Sequence, residues 1–127
     1  MAVPRITKEE LRDRLADATA ARPTVIDVRL KYPFEHSTIT LPGAVRMPPG
    51  SVDTSLLPPD RDIVVYDSDP EELVGERVAA RLIALGHRTS VLQGGISEWA
   101  AAKLPTDTKP APQLAAPMTG SSGAAKA

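Results

Sequence analysis

The sequence predicts an α/β fold built on a parallel sheet, and two observations carry that prediction. Short apolar segments rich in β-branched residues alternate with amphipathic segments of helical period, and Pro, Gly and Asp separate them. Strands that alternate with helices are typical of a parallel sheet with helices packed on its faces. Residues 63–66, Ile-Val-Val-Tyr, resemble a central strand buried on both faces, and they lead directly into Asp67.

The first predicted element is a helix over residues 6–20. Thr7 and Glu10 have the spacing of a capping box, and Ile6 and Leu11 stand at the hydrophobic-staple positions around it. This pattern favours a small amphipathic helix that covers one face of the sheet.

A short strand, residues 24–29, follows and ends in charged residues. Asp27 and Arg29 have two interpretations at this stage. They are either supporting residues of a functional site, or an ion pair that fixes the end of the strand.

Short elements fill the chain up to the central strand. We expect at most one helical turn at residues 32–36, a turn at 41–44, a second strand at 45–47 and a helical turn within 51–57.

The segment after the central strand carries a second helix-start pattern. Asp69 stands at the N-cap, Pro70 at the first helical position and Glu72 at the third. The predicted helix has apolar residues at three-and-four spacing and Gly86 as its stop; the apolar residues are Val74, Val78, Leu82 and Leu85.

The last predicted elements are a strand at residues 89–92 and a helix at 96–103, anchored in the core by Trp99. From residue 105 the chain is rich in Pro, Ala, Gly and Ser, which is the composition of a flexible tail. The predicted organisation is therefore one domain, residues 1–104, followed by a tail, residues 105–127.

Composition excludes several classes of function. Fifteen basic and 16 acidic residues give a net charge of −1 without basic clusters, so we expect no nucleic-acid partner. No apolar stretch approaches the roughly 18 residues of a membrane span, and the N-terminal residues lack a signal-peptide core, so we expect a cytoplasmic protein. The chain has no cysteine, which excludes disulfides, thiolate metal sites and cysteine nucleophiles. With only two histidines as well, we expect neither a metal nor a cofactor.

Four segments in order resemble the rhodanese-like domain family. Residues 25–29 look like its "IDVR" strand, and residues 41–48 are similar to its "H-I-P-G-A-x-x-I-P" turn. Residues 63–66 with the loop and helix that follow form the third segment, and residues 91–99 are close to "V-L-x-G-G-x-x-x-W". The resemblance implies a mostly parallel five-stranded sheet flanked by helices.

The resemblance also implies a site. In active members a cysteine directly follows the strand of the third segment and carries a persulfide, cradled by backbone N–H groups of the loop. Asp67 matches that cysteine here, and Thr40 stands where the family often has His. The expected loop comprises Asp67, Ser68, Asp69, Pro70, Glu71, Glu72, Leu73 and Val74.

These departures point away from catalysis, because a carboxylate cannot hold a stable persulfide. We expect a non-catalytic binding or regulatory module whose partner is another protein, with the Asp67 carboxylate in place of the thiolate. No Lys or Arg lies between residues 61 and 77, so a cation or a basic surface is the expected visitor.

Two alternatives stay open. Asp67-Ser68-Asp69 after a strand resembles the nucleophile loop of Mg²⁺-dependent phosphotransferases that form an aspartyl phosphate. The family resemblance taken alone would instead suggest a sulfurtransferase.

Overall fold

The computed structural model describes residues 3–68 and 73–109. In chain order the elements are β1 (Arg5–Ile6), α1 (Lys8–Ala16), β2 (Thr24–Asp27), α2 (Lys31–Glu35), β3 (Ile39–Thr40), β4 (Val45–Arg46), a 3₁₀ turn (Thr54–Leu56), β5 (Ile63–Tyr66), α3 (Leu73–Ala84), β6 (Thr89–Leu92), α4 (Gly95–Ala101) and β7 (Asp107–Thr108). No helix in these described ranges has both the length and the apolar character needed to cross a membrane.

Five strands form one sheet in the order β1-β6-β5-β2-β4, and every neighbouring pair is parallel. This confirms the predicted fold class and places β5 at the centre. Within this sheet the residue patterns did not predict β1, in which Ile6 is buried and pairs with Leu92. Two residues are too few to show strand periodicity, so only tertiary pairing reveals this strand.

The two faces of the central strand β5 pack against different helices. Ile63 and Val65 belong to a core on the α3 side, whereas Val64 and Tyr66 belong to a core on the α1 and α4 side. Successive side chains of a strand point to opposite faces, so a strand buried on both faces must be apolar throughout.

Helix α1 has the predicted capping box but is shorter at both ends than the predicted range of residues 6–20, since Ile6 belongs to β1 and the helix begins at Lys8. The Thr7 hydroxyl accepts the N–H of Glu10, and the Glu10 carboxylate accepts the N–H of Thr7, which completes the capping box. The helix ends at Ala16 instead of residue 20. Asp17 has extended backbone angles, and its carboxylate accepts the backbone N–H and the hydroxyl of Thr19. This local side-chain turn competes with the helix.

Helix α3 ends at the predicted glycine. Gly86, with φ of +97°, donates to the carbonyl of Ile83, and His87 donates to the carbonyl of Leu82. This pair of bonds is a Schellman motif. Leu85 does not continue the buried stripe; it is 64% exposed, because the helix has already reached its cap there. The predicted start residues Asp69, Pro70 and Glu72 lie outside the described residues.

The first residues of the predicted tail lie on the domain. Strand β7 pairs with β3 in antiparallel fashion, and the indole N–H of Trp99 donates to the carbonyl of Pro105 at 2.8 Å. The ammonium group of Lys109 donates to the carbonyl of Phe34. Residues 105–109 therefore contact the domain instead of standing apart from it. A truncation intended to remove only the tail must follow Lys109 and not Leu104.

Candidate functional site

The polar residues of the candidate site stand at the carboxyl ends of neighbouring strands. Asp27 ends β2, Arg46 ends β4 and Tyr66 ends β5, and the register pairs Asp27 with both of the others. Asp67 is the next residue along the chain. The carboxyl ends of parallel strands meet at one edge of the sheet, where open α/β folds place their functional sites.

Asp27 and Arg29 form a buried, two-pronged ion pair. The Arg29 Nη2 lies 2.7 Å from Asp27 Oδ2, and Nε lies 3.0 Å from Oδ1. Their side chains are only 1% and 2% exposed. Of the two interpretations left open by the sequence, this geometry supports the ion pair that fixes the strand end, because solvent-borne molecules cannot reach either group.

The Tyr66 hydroxyl is the third group of this buried network. Its hydroxyl donates to Asp27 Oδ2 at 2.9 Å and accepts the backbone N–H of Leu41 at 3.3 Å. Burial, together with the negative charge of Asp27, raises the pKa of the Tyr66 hydroxyl well above its ordinary value. The loop that contains Leu41 is thereby tied to the centre of the sheet.

Alkaline pH should therefore destabilise the protein through Tyr66. A folded-state pKa above the unfolded value contributes stability that is present below about pH 10 and is lost as pH rises beyond it. We expect urea unfolding at several pH values between about 9 and 11 to show a falling free energy of unfolding. Tyr66→Phe should flatten that fall, and the exposed Tyr32→Phe should not. Equal slopes in all three proteins would refute this assignment.

Cations surround the ring of Phe34 near the same edge. The guanidinium of Arg46 lies 4.2 Å and that of Arg29 5.3 Å from the ring centre, and the Lys109 Nζ lies 4.2 Å from it. Arg46 also donates to the carbonyls of Asp27 and Arg29. Loss of hydration on burial lowers the pKa of Arg46. These contacts bind α2 and the segment after β7 to the sheet edge.

Asp67 joins β5 to two helices. It is 3% exposed, and its Oδ2 accepts the backbone N–H of Gly75 at 2.8 Å. Its main-chain carbonyl accepts the N–H of Ile96, in α4, at 3.0 Å. Gly75 lies in the first turn of α3, so the carboxylate faces the positive end of that helix dipole.

Gly75 allows the carboxylate to come this close. A Cβ at this position would lie 3.4 Å from Asp67 Oδ2 and 3.2 Å from a methyl carbon of Val91. The second distance is tighter than ordinary van der Waals contact, so a larger residue would force Asp67 or Val91 to move.

The predicted loop is only partly a loop. Asp67 and Ser68 follow β5 as non-helical residues, whereas Leu73 and Val74 lie in the first described turn of α3. The remaining four, Asp69, Pro70, Glu71 and Glu72, lie outside the described residues. Leu73 is exposed and Val74 half-buried, so both belong to the helix surface beside the site.

The residue patterns missed Tyr66, Arg46, Phe34 and Gly75. A signal existed for two of them, because Tyr66 ends one predicted strand, Arg46 stands next to the last residue of another, and parallel strand ends share an edge. Phe34 and Gly75 contribute through contacts distant in the chain, which local patterns do not encode. Within residues 3–68 and 73–109, no three carboxylate or imidazole groups come together as a possible metal site.

Comparison with known proteins agrees with this architecture. A rhodanese-like domain family model matches residues 7–102. A full-length protein from Lactobacillus plantarum is 25% identical with a TM-score of 0.71, and the match covers 83% of this chain and 88% of that one. A rhodanese-related protein from Thermoplasma volcanium is 19% identical with a TM-score of 0.68, over 84% and 99% of the two chains.

A thiosulfate sulfurtransferase from Pseudomonas aeruginosa is 25% identical with a TM-score of 0.69; the match covers 84% of this chain and 19% of that larger one. No curated protein matches the chain. Since the family match extends from the capping box of α1 to the end of α4, the chain belongs to the rhodanese-like domain family.

Proposed function

We propose that this rhodanese-like domain is a non-catalytic module that binds another protein, and that Asp67 stands in the place of the family's sulfur-carrying cysteine. One observation carries the proposal. At the end of the central strand, a buried carboxylate accepts a backbone N–H in the first turn of α3. A thiolate at this position would be expected to use the same donor.

The chemistry of sulfur transfer supports this reading. The reaction needs a sulfur atom that attacks the donor, holds the transferred sulfur and releases it to an acceptor. The chain has no cysteine at any position, and a carboxylate does not form a stable persulfide. The protein alone therefore lacks the atom on which the reaction depends.

A permanent carboxylate has a further consequence. It supplies a fixed negative charge beside the N-terminus of α3, where a helix dipole favours an anion. The carboxylate then bonds the N–H of Gly75 in α3 without a bound anion, while the main-chain carbonyl of the same residue bonds the N–H of Ile96 in α4. This suits a protein whose surface is used for recognition.

A thiosulfate:cyanide assay tests the proposal. We expect thiocyanate formation by the natural protein to equal that of the buffer control. Asp67→Cys is expected to gain measurable activity, because the thiol would stand beside the N-terminus of α3, which favours the thiolate. Asp67→Ser, which lacks sulfur, is the matched control and should stay inactive. Turnover by the natural protein would overturn the proposal.

The phosphotransferase alternative has no observation in its favour. It requires Asp69 as acid and base, and that residue lies outside the described part of the chain. Asp67, its required nucleophile, is buried and bonded to Gly75 instead of presented to solvent.

A further inference from the structure

A groove runs along α3 on the same side of the molecule as the carboxyl edge of the sheet. Its volume is about 390 Å³, and its walls come from the chain after β2, the chain after β4 and one face of α3. It is lined by Leu30, Pro49, Gly50, Val74, Arg77, Val78 and Arg81. None of these residues takes part in the buried Asp27–Arg29–Tyr66 network.

The groove is apolar inside and basic at its rim. Val78 is buried, Val74 half-buried, and Leu30 is 52% exposed although it is a large apolar residue. Arg77 and Arg81 are exposed and stand four residues apart, so they lie above one another on one helix face.

The two arginines have different surroundings. Arg81 donates to the carbonyl of Pro49 at 2.7 Å, which ties the helix to the loop after β4. Arg77 forms no ion pair with any residue that the structure describes. The nearest acid on the helix, Glu76, is already paired with Arg5. The rim therefore presents positive charge that Glu76 does not neutralise.

The apolar surface continues beyond the groove. Leu73 is 62% exposed and stands one helical turn before Arg77 on the same face. Exposed apolar residues that form a contiguous patch with a polar or charged rim mark interaction sites. The surface therefore combines exposed apolar residues, Leu30 and Leu73, with two arginines, Arg77 and Arg81.

We propose that this groove is the docking surface for an acidic segment of a partner protein that inserts one apolar side chain. The carboxylates would pair with Arg77 and Arg81, and the apolar side chain would cover Leu30 and Val74. This inference rests on the proposed binding function and names the chemistry of its partner. The cation or basic surface expected at the loop after β5 concerned Asp67 and the acids at residues 69, 71 and 72, and it stays a separate prediction.

Selection from a random-peptide display library on the full chain provides the test. We expect the selected peptides to be enriched in Asp and Glu around a Leu, Ile or Phe. Fluorescence anisotropy of one selected peptide should show binding about tenfold weaker to Arg77→Glu, since reversing a rim charge replaces attraction by repulsion. Binding should also weaken as salt is raised.

Arg61→Glu is the matched control. Arg61 is an exposed arginine that precedes β5, so it lies at the opposite edge of the sheet from the groove. The Arg61→Glu variant should bind the selected peptide with the same affinity as the natural protein. Leu30→Ser tests the apolar half of the surface and should weaken binding without reversing any charge.

Three outcomes would overturn the inference. Selected peptides without enrichment in Asp and Glu would contradict the acidic character of the partner. Equal affinity of Arg77→Glu and Arg61→Glu for the peptide would show that it binds outside the groove. Self-association lost in Arg77→Glu by analytical ultracentrifugation would identify a second copy as the occupant. Failure here leaves the sulfurtransferase assay unaffected, and turnover in that assay would overturn the proposed function whether or not peptides bind.

Discussion

Arg29→Ala is expected to lower the free energy of unfolding by about 3–5 kcal/mol, measured by urea denaturation at neutral pH. The substitution leaves the Asp27 carboxylate buried, at 1% exposure, without the guanidinium that bonds both of its oxygens, and only the more distant Arg46 Nη1, at 3.7 Å from Oδ1, still faces it as a cation. It also removes the bond from Arg29 to the carbonyl of Ile39 at 3.0 Å and the contact with Phe34. For a domain of this size the loss is a large share of total stability.

Arg12→Ala is the control for this experiment. Arg12 pairs with Asp13, but both side chains are exposed, so we expect a change within about 1 kcal/mol. The double variant Asp27→Asn with Arg29→Met should recover part of the loss, because no unpaired charge stays buried. A change below about 1 kcal/mol for Arg29→Ala itself would contradict the assigned role of the pair.

Asp67→Ala is expected to lower the free energy of unfolding by about 1–3 kcal/mol, because the buried N–H of Gly75 loses its acceptor. In a domain of about 100 residues each kcal/mol corresponds to roughly 4–8 °C in melting temperature. Differential scanning calorimetry at neutral pH measures the shift directly.

Asp67→Asn separates hydrogen bonding from charge. The amide oxygen can still accept the N–H of Gly75, so this variant should lose less stability than Asp67→Ala. Any loss that remains in Asp67→Asn reports the value of a negative charge at the N-terminus of α3. Asp13→Ala, at an exposed aspartate, should leave the melting temperature nearly unchanged. An unchanged melting temperature in Asp67→Ala would count against a structural role for this carboxylate.

The two substitutions also separate two functions of the sheet edge. Arg29 and Asp27 stabilise the strand ends, and Asp67 holds β5 against the N-terminal turns of α3 and α4. If the carboxylate acts as a permanent substitute for the thiolate, Asp67→Cys should gain sulfurtransferase activity. It should also lose the carboxylate oxygen that accepts the N–H of Gly75. A lower melting temperature together with measurable thiocyanate formation is the combination that supports the proposed function.

Several local features of the fold could be predicted with confidence from short-range patterns. The capping box needs only Thr7 and Glu10 at the correct spacing, and the helix stop needs only a glycine that accepts a positive φ at Gly86. The apolar run of β5 predicts a strand buried on both faces, as observed. Each of these features depends on residues within one or two helical turns or within one strand, so each can be predicted without knowledge of distant contacts.

Other features depend on residues far apart in the chain. The Tyr66 hydroxyl meets a carboxylate 39 positions away, and Lys109 meets the carbonyl of Phe34 75 positions away. Strand β7 has two exposed residues, Asp107 and Thr108, and it forms by antiparallel pairing with Ile39 and Thr40, which lie far away in the chain. Composition alone therefore placed the end of the body at residue 104.

The amino-acid sequence alone established the α/β class, the missing sulfur nucleophile and the position of Asp67 after the central strand, because each depends on residue identity and local periodicity. Only the tertiary structure showed that Asp27 and Arg29 are sealed in the core with Tyr66, and that Arg77 and Arg81 face an apolar groove. The physical reason is that burial and pairing are properties of packed surfaces. The buried ion pair and the groove form only when the chain folds and the carboxyl ends of its parallel strands meet at one edge of the sheet.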